Sequence, residues 1–452
     1  MKMMIKNQAV TGCAIVMEVK TGKIKAMANL GKKTDGVYWE NLNYAIRPTE
    51  PGSTFKLATM LALLEDKKIT LNQMVDLEGG VWRTAGQTVY DSEKHKKTNV
   101  TVKQAFELSS NVGMAKLASI HYADHPNQFL RSLKKMRMDT VTGIDLRGEG
   151  VPTIYKPGGR FWGPTTLPWM AFGYNLSITP LQTASLYNSI ANNGKIMRPY
   201  LVSAVKDEGV LIREFLPTVV DEQICSTQTL QQLQECLEGV CSEGTGRELF
   251  KNSAFKVAGK TGTALVANDN RGYADKIYQS SFAGYFPAGN PQYTCVVVIV
   301  NRAHAPVFYG ATVAGPVFKE IADRLYSSYI RHTMIAVAQQ KKTDSAAFSF
   351  AGMKQDMVFI SSKLNMPYAD STQSTDQWID MNGKNAVVVL NKKSFDPHTM
   401  PRLKGLGLKD AVYLCENIGL KVNVKGRGKV AVQSIVAGQP VARGQLINVA
   451  LN

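Results

Sequence analysis

Apolar and polar positions divide this chain into recognisable elements. The longest β-branched run, Val296-Val297-Val298-Ile299-Val300, predicts a central strand and is far too short to cross a bilayer. From Val19 to Met27 the pattern alternates around Thr21-Gly22, which predicts a hairpin. Leu57, Ala58, Met60, Leu61, Ala62, Leu63 and Leu64 make a nearly unbroken apolar stretch up to Glu65, as in a buried helix, with Pro51-Gly52 as its lead-in turn. Phe255 to Gly259 reads as a strand that Lys260 to Ala264 continues. Residues 316 to 330 read as an amphipathic helix closing a large first domain, 1–331.

After residue 331 the pattern changes. Gln339 to Ser345 and Asp370 to Asp376 are polar and turn-rich, as linkers are, with short strand-like runs at Met357-Val358-Phe359-Ile360 and Ala386 to Leu390 between them. Residues 332–397 are therefore expected to be an extended connector with some order. In 398–452 the pattern is clearer: one helix over Lys409 to Asn417, then strands around Lys421 to Val424, Val430 to Ser434 and Leu446 to Leu451. About 55 residues suits one small α+β domain.

Composition agrees with a folded protein of two or three domains: 452 residues, 44% hydrophobic, 37 Gly and 18 Pro. The net charge of +17 raises the question of nucleic acid. It is spread along the chain, about +10 in 1–331 and +6 in 398–452, and no aromatic-and-basic RNA motif or recognition helix accompanies it, so no nucleic acid is expected. A basic surface suits work beside anionic headgroups and cell-wall polymer. The six cysteines form no C-x-x-C pair; Cys13 and Cys295 sit in strand-like runs as small hydrophobes, and only Cys236 and Cys241 are close enough in sequence to meet. His121 and His125 have the spacing of H-E-x-x-H, but Tyr122 stands at the glutamate position, and no metal or cofactor is expected.

Three distant blocks carry the chemistry. Ser53-Thr54-Phe55-Lys56 places a serine and a lysine at i and i+3 of a helix start, on one face, where the amine can take the hydroxyl proton. A serine at such a start also has a backbone N–H free for an oxyanion. Ser109-Ser110-Asn111 offers a hydroxyl for proton relay and an amide for holding a substrate backbone. Lys260-Thr261-Gly262-Thr263 offers a fixed positive charge, two hydroxyl donors, and a glycine that lets a ligand approach the strand. Each block alone has a plainer reading as a helix cap, a solvated lysine or a polar turn. Gly259-Lys260-Thr261 also mimics the end of a phosphate loop, but that motif needs glycine at Ala254. A Ser-His-Asp hydrolase would need G-x-S-x-G, which Gly52-Ser53 does not supply.

Taken in order, the blocks match S-x-x-K, S-x-N and K-T-G, and the chain resembles the penicillin-binding protein and serine β-lactamase superfamily. Ser110 in place of the Asp of S-D-N argues against a class A β-lactamase. Glu50-Pro51-Gly52, Phe172-Gly173-Tyr174-Asn175, Thr179-Pro180-Leu181-Gln182 and Ser281 to Pro287 resemble segments of class B high-molecular-weight penicillin-binding proteins, so the likeness covers most of residues 11 to 330. The block from 398 to 452 resembles a PASTA module, which leans the resemblance toward the division type.

The resemblance implies an α/β (α+β) transpeptidase fold: an antiparallel sheet flanked by helices, a helical subdomain, and a small α+β C-terminal module. It implies a serine D,D-transpeptidase that cross-links peptidoglycan stem peptides through an acyl-enzyme and is trapped by β-lactams. Ser53 would be the nucleophile, Lys56 the base with a pKa depressed by burial beside Lys260, and Ser109 the proton relay. Asn111 would hold the substrate amide, Lys260 with Thr261, Gly262 and Thr263 the terminal carboxylate, and the N–H groups of Ser53 and Thr263 the oxyanion. Lipid II-derived strands, a glycosyltransferase and divisome proteins would be partners. Class B proteins normally carry an N-terminal membrane anchor, so the expectation is a soluble piece of a longer protein at the extracytoplasmic face of the cytoplasmic membrane. Two alternatives stay open: a β-lactamase or D,D-carboxypeptidase, against which no E-x-x-L-N stretch lies between the second and third blocks, and a non-catalytic β-lactam sensor or cell-wall scaffold.

Overall fold

The computed structural model describes residues 1–92, 98–268, 272–330, 348–364, 366–372, 377–384, 387–393 and 395–452. It divides into two compact units, Met1–Ile330 and Arg331–Asn452.

The first unit is organised by a six-stranded, fully antiparallel sheet. The expected hairpin is β1 (Thr11–Glu18) and β2 (Ile24–Lys32), with Gly22 at a φ of 80° in the turn, where a side chain would be strained. β3 (Tyr38–Trp39) forms one edge. Later in sequence come the helix α1 (Lys56–Glu65), the hairpin β4 (Val81–Thr84) and β5 (Gln87–Tyr90), and the helices α2 (Val102–Glu107), α3 (Asn111–Tyr122), α4 (Pro180–Ala191) and α5 (Thr227–Ser242). The last three strands of the sheet are β6 (Ala258–Asn268), β7 (Gly272–Phe286) and β8 (Tyr293–Val300), and α6 (Gly315–Leu325) follows. The order is β6-β7-β8-β1-β2-β3, which places the Val296–Val300 run at the centre as expected. Phe255 to Val257 precede β6 rather than belonging to it.

Period-2 alternation puts helices on both faces of the sheet. Cys13, Ile15, Met17 and Val19 pack in one core with Phe55, Leu57, Leu61 and Leu181, while Val16, Val297 and Ile299 pack in the other with Phe282 and Phe318. All six cysteines are free and buried, so Cys236 and Cys241 are not joined. No described helix is long and apolar enough to cross a membrane.

The second unit corrects the expected connector. β9 (Phe348–Met353), α7 (Lys354–Lys363), β10 (Tyr368–Asp370), β11 (Trp378–Lys384) and β12 (Val387–Lys392) build a four-stranded sheet in the order β9-β11-β12-β10. Met357 to Ile360, read as a strand, lies in α7: four consecutive apolar residues do not separate helix from strand, and the helix buries Met357 and Val358 against Ile379 and Leu390. Of the two expected linkers, Gln339 to Ser345 and residues 373–376 lie outside the described residues, and Asp370 ends β10. Then α8 (Leu408–Asn417), β13 (Lys421–Lys425), β14 (Val430–Gln433) and β15 (Leu446–Leu451) appear where the pattern placed them. Both halves share one wiring: after the helix, the first strand pairs parallel with the third and the second antiparallel with it. The backbone before each helix adds to the second strand, through β9 in one half and Gly407 in the other.

Candidate active site

α1 is apolar all round, and every residue from Lys56 to Leu64 is buried. Its position in the core dictates the first block's environment. Gly52–Phe55 forms a 3₁₀ turn that runs into α1, and with three residues per turn Ser53 and Lys56 eclipse each other at its start. Gly52, at a φ of 56°, makes this turn possible: its N–H donates to Gly173 O at 3.1 Å, and a Cβ on it would lie 2.7 Å from Ala264 Cβ. A Cβ on Gly173 would lie 2.1 Å from Gly52 O, so the Phe172–Asn175 stretch matters as the floor under the serine.

Lys56 has no access to solvent. Its Nζ donates to Ser109 O at 2.5 Å, to Asn111 Oδ1 at 2.8 Å and to Ser109 Oγ at 3.2 Å, so the first two blocks meet on the lysine. Burial lowers its pKa to about 7, and the negative charge of Asp91 opposes the drop. The expectation was burial beside a second cation, Lys260. Burial is indeed the dominant cause, but the neighbouring charge that acts on Lys56 is Asp91, and it is Lys260 that is pushed well below the lysine range, first by its own burial and then by Lys56. The expected fixed charge on Lys260 is therefore conditional. A buried ammonium needs a counter-anion, and Nζ has Thr261 O at 3.2 Å and the Phe106 ring 5.7 Å away.

The second block lies where one helix ends and another begins. Ser110 N–H bonds Ala105 O at 2.9 Å and Ser109 N–H bonds Phe106 O at 3.0 Å, which closes α2 in a Schellman motif. Ser109 takes that motif's left-handed position, with φ 59°, where glycine is usual. The same chain reversal makes Ser110 the N-cap of α3: its Oγ accepts from Gly113 N–H at 2.9 Å. Asn111 is the first residue of α3, with Oδ1 turned to Lys56 and Nδ2 donating to Tyr90 O at 2.7 Å.

The third block is on β6, the edge strand of the sheet. Lys260 is fully buried beneath it, and the Thr261 hydroxyl is paired with that of Thr245 at 2.6 Å. Thr263 Oγ1 accepts from Gly310 N–H at 3.1 Å and still has its proton to donate. Gly262 was expected to admit a ligand. The atoms a Cβ there would meet are Ser281 Oγ at 2.2 Å and Thr54 Cγ2 at 3.0 Å, so the glycine leaves room for Ser281 of β7 and for the Gly52–Phe55 turn against the strand. Beside the three blocks opens a cleft of about 630 Å³ whose lining includes Asn111, Thr263, Trp169, Tyr174, Tyr278 and Tyr309.

Sequence reasoning missed two residues that hold this arrangement: Asp91 caps α3 and Thr245 pairs with Thr261. Each comes from a loop remote in sequence, and no local pattern marks it. Glu50, noted in sequence only as part of Glu50-Pro51-Gly52, accepts from Asn175 N–H and Tyr273 OH, both at 3.0 Å. Among the described residues no cluster of His, Cys, Asp and Glu has the make-up of a metal site.

Comparison with known proteins matches residues 12–323 to the penicillin binding protein transpeptidase domain and residues 398–452 to the PASTA domain. Stage V sporulation protein D of Bacillus subtilis is 26% identical over 449 residues, 97% of this chain and 60% of that protein. Penicillin-binding protein PbpB of Mycobacterium tuberculosis is 30% identical over 328 residues, covering 68% of this chain and 46% of the relative. Peptidoglycan D,D-transpeptidase FtsI of Escherichia coli is 28% identical over 321 residues, with coverages of 70% and 51%. The chain thus spans about half to three fifths of these relatives' lengths. Among solved structures, penicillin binding protein 3 of Mycobacterium tuberculosis in complex with aztreonam aligns with a TM-score of 0.62 at 28% identity, over 72% of this chain and 74% of that one. The transpeptidase domain of Burkholderia pseudomallei penicillin-binding protein 3 aligns at 0.60 and 25% identity, over 73% and 92%.

Proposed function

The chain belongs to the penicillin-binding protein transpeptidase family, and on that premise we propose that it is a serine D,D-transpeptidase cross-linking peptidoglycan stem peptides at the extracytoplasmic face of the cytoplasmic membrane. The observation that carries this reading is the junction at Lys56. A buried amine with its pKa near 7, bonded to Ser109 and Asn111 and one 3₁₀ turn from Ser53, is equipped as a base at neutral pH.

In the first half-reaction neutral Lys56 takes the Ser53 proton while Ser53 Oγ attacks the carbonyl between the two terminal D-alanines. The backbone N–H groups of Ser53 and Thr263 receive the oxyanion. Ser109 passes a proton from Lys56 to the nitrogen of the departing D-alanine as the C–N bond breaks. Asn111 has one amide hydrogen left for the substrate after its bond to Tyr90 O. The hydroxyls of Thr261 and Thr263 meet the terminal carboxylate with Lys260 behind them, and that carboxylate supplies the anion that favours the charged form of Lys260. In the second half-reaction the amine of another stem peptide attacks the acyl-enzyme and Ser53 regains its proton. A β-lactam carries out the first step and stays attached.

We read residues 1–331 as the catalytic domain and 398–452 as an accessory module. Lipid II-derived strands are the substrate source, and a glycosyltransferase and division proteins the working partners. Intact mass after incubation with penicillin, on this chain and on Ser53→Ala, tests the reading. A stable adduct in the first and none in the second is expected. Rapid loss of the adduct with drug consumption would make the chain a hydrolase, and no adduct would leave a peptide-binding scaffold.

A further inference from the structure

The second block has serine, not aspartate, at its centre, yet a carboxylate reaches it from elsewhere. Asp91 follows β5, and its Oδ2 accepts from Ser110 Oγ at 2.8 Å. Its Oδ1 accepts from the N–H groups of Asn111 at 2.5 Å and Val112 at 2.9 Å. An anion there satisfies orphan donors at the N-terminus of α3 and complements the helix dipole. The preceding residue works on the same target, since Tyr90 O takes a hydrogen of the Asn111 amide. The end of β5 therefore grips Asn111 by its backbone and by its side chain, and Asn111 in turn grips Lys56.

We propose that Asp91 is a positioning residue for acyl transfer: its carboxylate fixes the first turn of α3, and through Asn111 the orientation of Lys56, without touching the reacting atoms. The proposal rests on the transpeptidase reading. The strained backbone it stabilises is next in line: Ser109, left-handed at φ 59°, immediately precedes the capped turn and shares Lys56 with Asn111.

The electrostatics give this role a signature that a purely structural one lacks. Around Lys56 stand Ser53 on its own lead-in turn, Ser109 and Asn111 at the α2–α3 junction, Lys260 on β6 with Cys241 of α5 beside it, and Asp91 after β5. Of these, Asp91 is the anion, and its charge favours the protonated lysine. Removing that charge lets the amine deprotonate at lower pH.

The test measures acylation by a fluorescent penicillin from pH 5 to 10, with thermal melting, for the wild-type chain, Asp91→Asn and Asp91→Ala. Asparagine can still accept from the Asn111 and Val112 N–H groups and meet Ser110 Oγ. It is expected to keep most of the plateau rate and to move the rising limb of the profile to lower pH. Alanine frees the turn and is expected to lower the rate about 10²-fold, the scale of a small misplacement of catalytic groups. Wild-type rates and profiles in both variants would overturn the proposal. So would a loss of rate that follows lost stability alone, with no movement of the pH limb. Because the wild-type chain is measured alongside, absence of acylation there marks failure of the functional reading itself and takes the proposal with it.

Discussion

Lys56 Nζ lies 2.8 Å from Asn111 Oδ1, and this bond sets the orientation of both side chains. With its oxygen turned to the lysine, Asn111 has its amide hydrogens for Tyr90 O and the cleft, and Lys56 is held against Ser109. Lys56→Ala is expected to lower acylation about 10³-fold, within the range for a lost general base. Lys56→Arg is expected to give no recovery, because a guanidinium does not deprotonate. Stopped-flow acylation with a chromogenic β-lactam checks both.

The pH dependence follows from the direction of the lysine's shift. In the proposed mechanism the base is the neutral amine, so acylation is expected to rise with pH through a midpoint near 7. Stability has the matching sign. Between about 7 and the ordinary lysine value of 10.5 the unfolded chain binds more protons at this position, so its contribution to stability increases as pH rises through that window. Denaturant melts of the wild type and Lys56→Met over that range should differ in slope, the wild type gaining more.

Asn111→Asp places a carboxylate where Lys56 now meets a neutral amide oxygen. An anion in contact stabilises the ammonium, so the rising limb of acylation is expected to move to higher pH, opposite to the effect of Asp91→Asn. An unmoved limb would show that Lys56 is not the titrating base.

Ser109 holds a left-handed backbone at a cost that glycine does not bear, on the order of 1 kcal/mol. Ser109→Gly is expected to be more stable than Ser109→Ala by about that amount, with acylation reduced in both because each lacks the hydroxyl beside Lys56. Paired thermal melts and acylation rates check this.

Gly262→Ala is expected to destabilise the chain by about 1–3 kcal/mol, since the new Cβ would fall 2.2 Å from Ser281 Oγ. Adding Ser281→Ala removes that atom and should restore part of the loss, a coupling that a double-mutant cycle measures. A neutral single variant would mean that Ser281 Oγ does not crowd Gly262.

How much of this was legible depended on the range of the interaction. The first hairpin, the Val296–Val300 strand and α1 were visible because alternation and apolar runs are local consequences of burial. α7 was not, because Met357 to Ile360 takes its conformation from the sheet it packs on. The three blocks were legible as residue types at fixed spacing. Asp91 and Thr245 were not, nor was the pairing of Glu50 with Asn175, because the partners lie far along the chain: 19 residues separate Asp91 from Ser110, 16 separate Thr245 from Thr261, and 125 separate Glu50 from Asn175.

The sequence by itself determined the family and the candidate chemical groups: a serine and a lysine one turn apart, a hydroxyl and an amide, and a lysine-bearing strand, in one fixed order. Only the tertiary structure decided their protonation and their aim. The Lys56 pKa falls to about 7 because a helix apolar on every face carries it into the core, and desolvation is a property of the surroundings that no local motif contains. The same holds for the anion that steadies it, which packing of the β4–β5 hairpin against the start of α3 delivers.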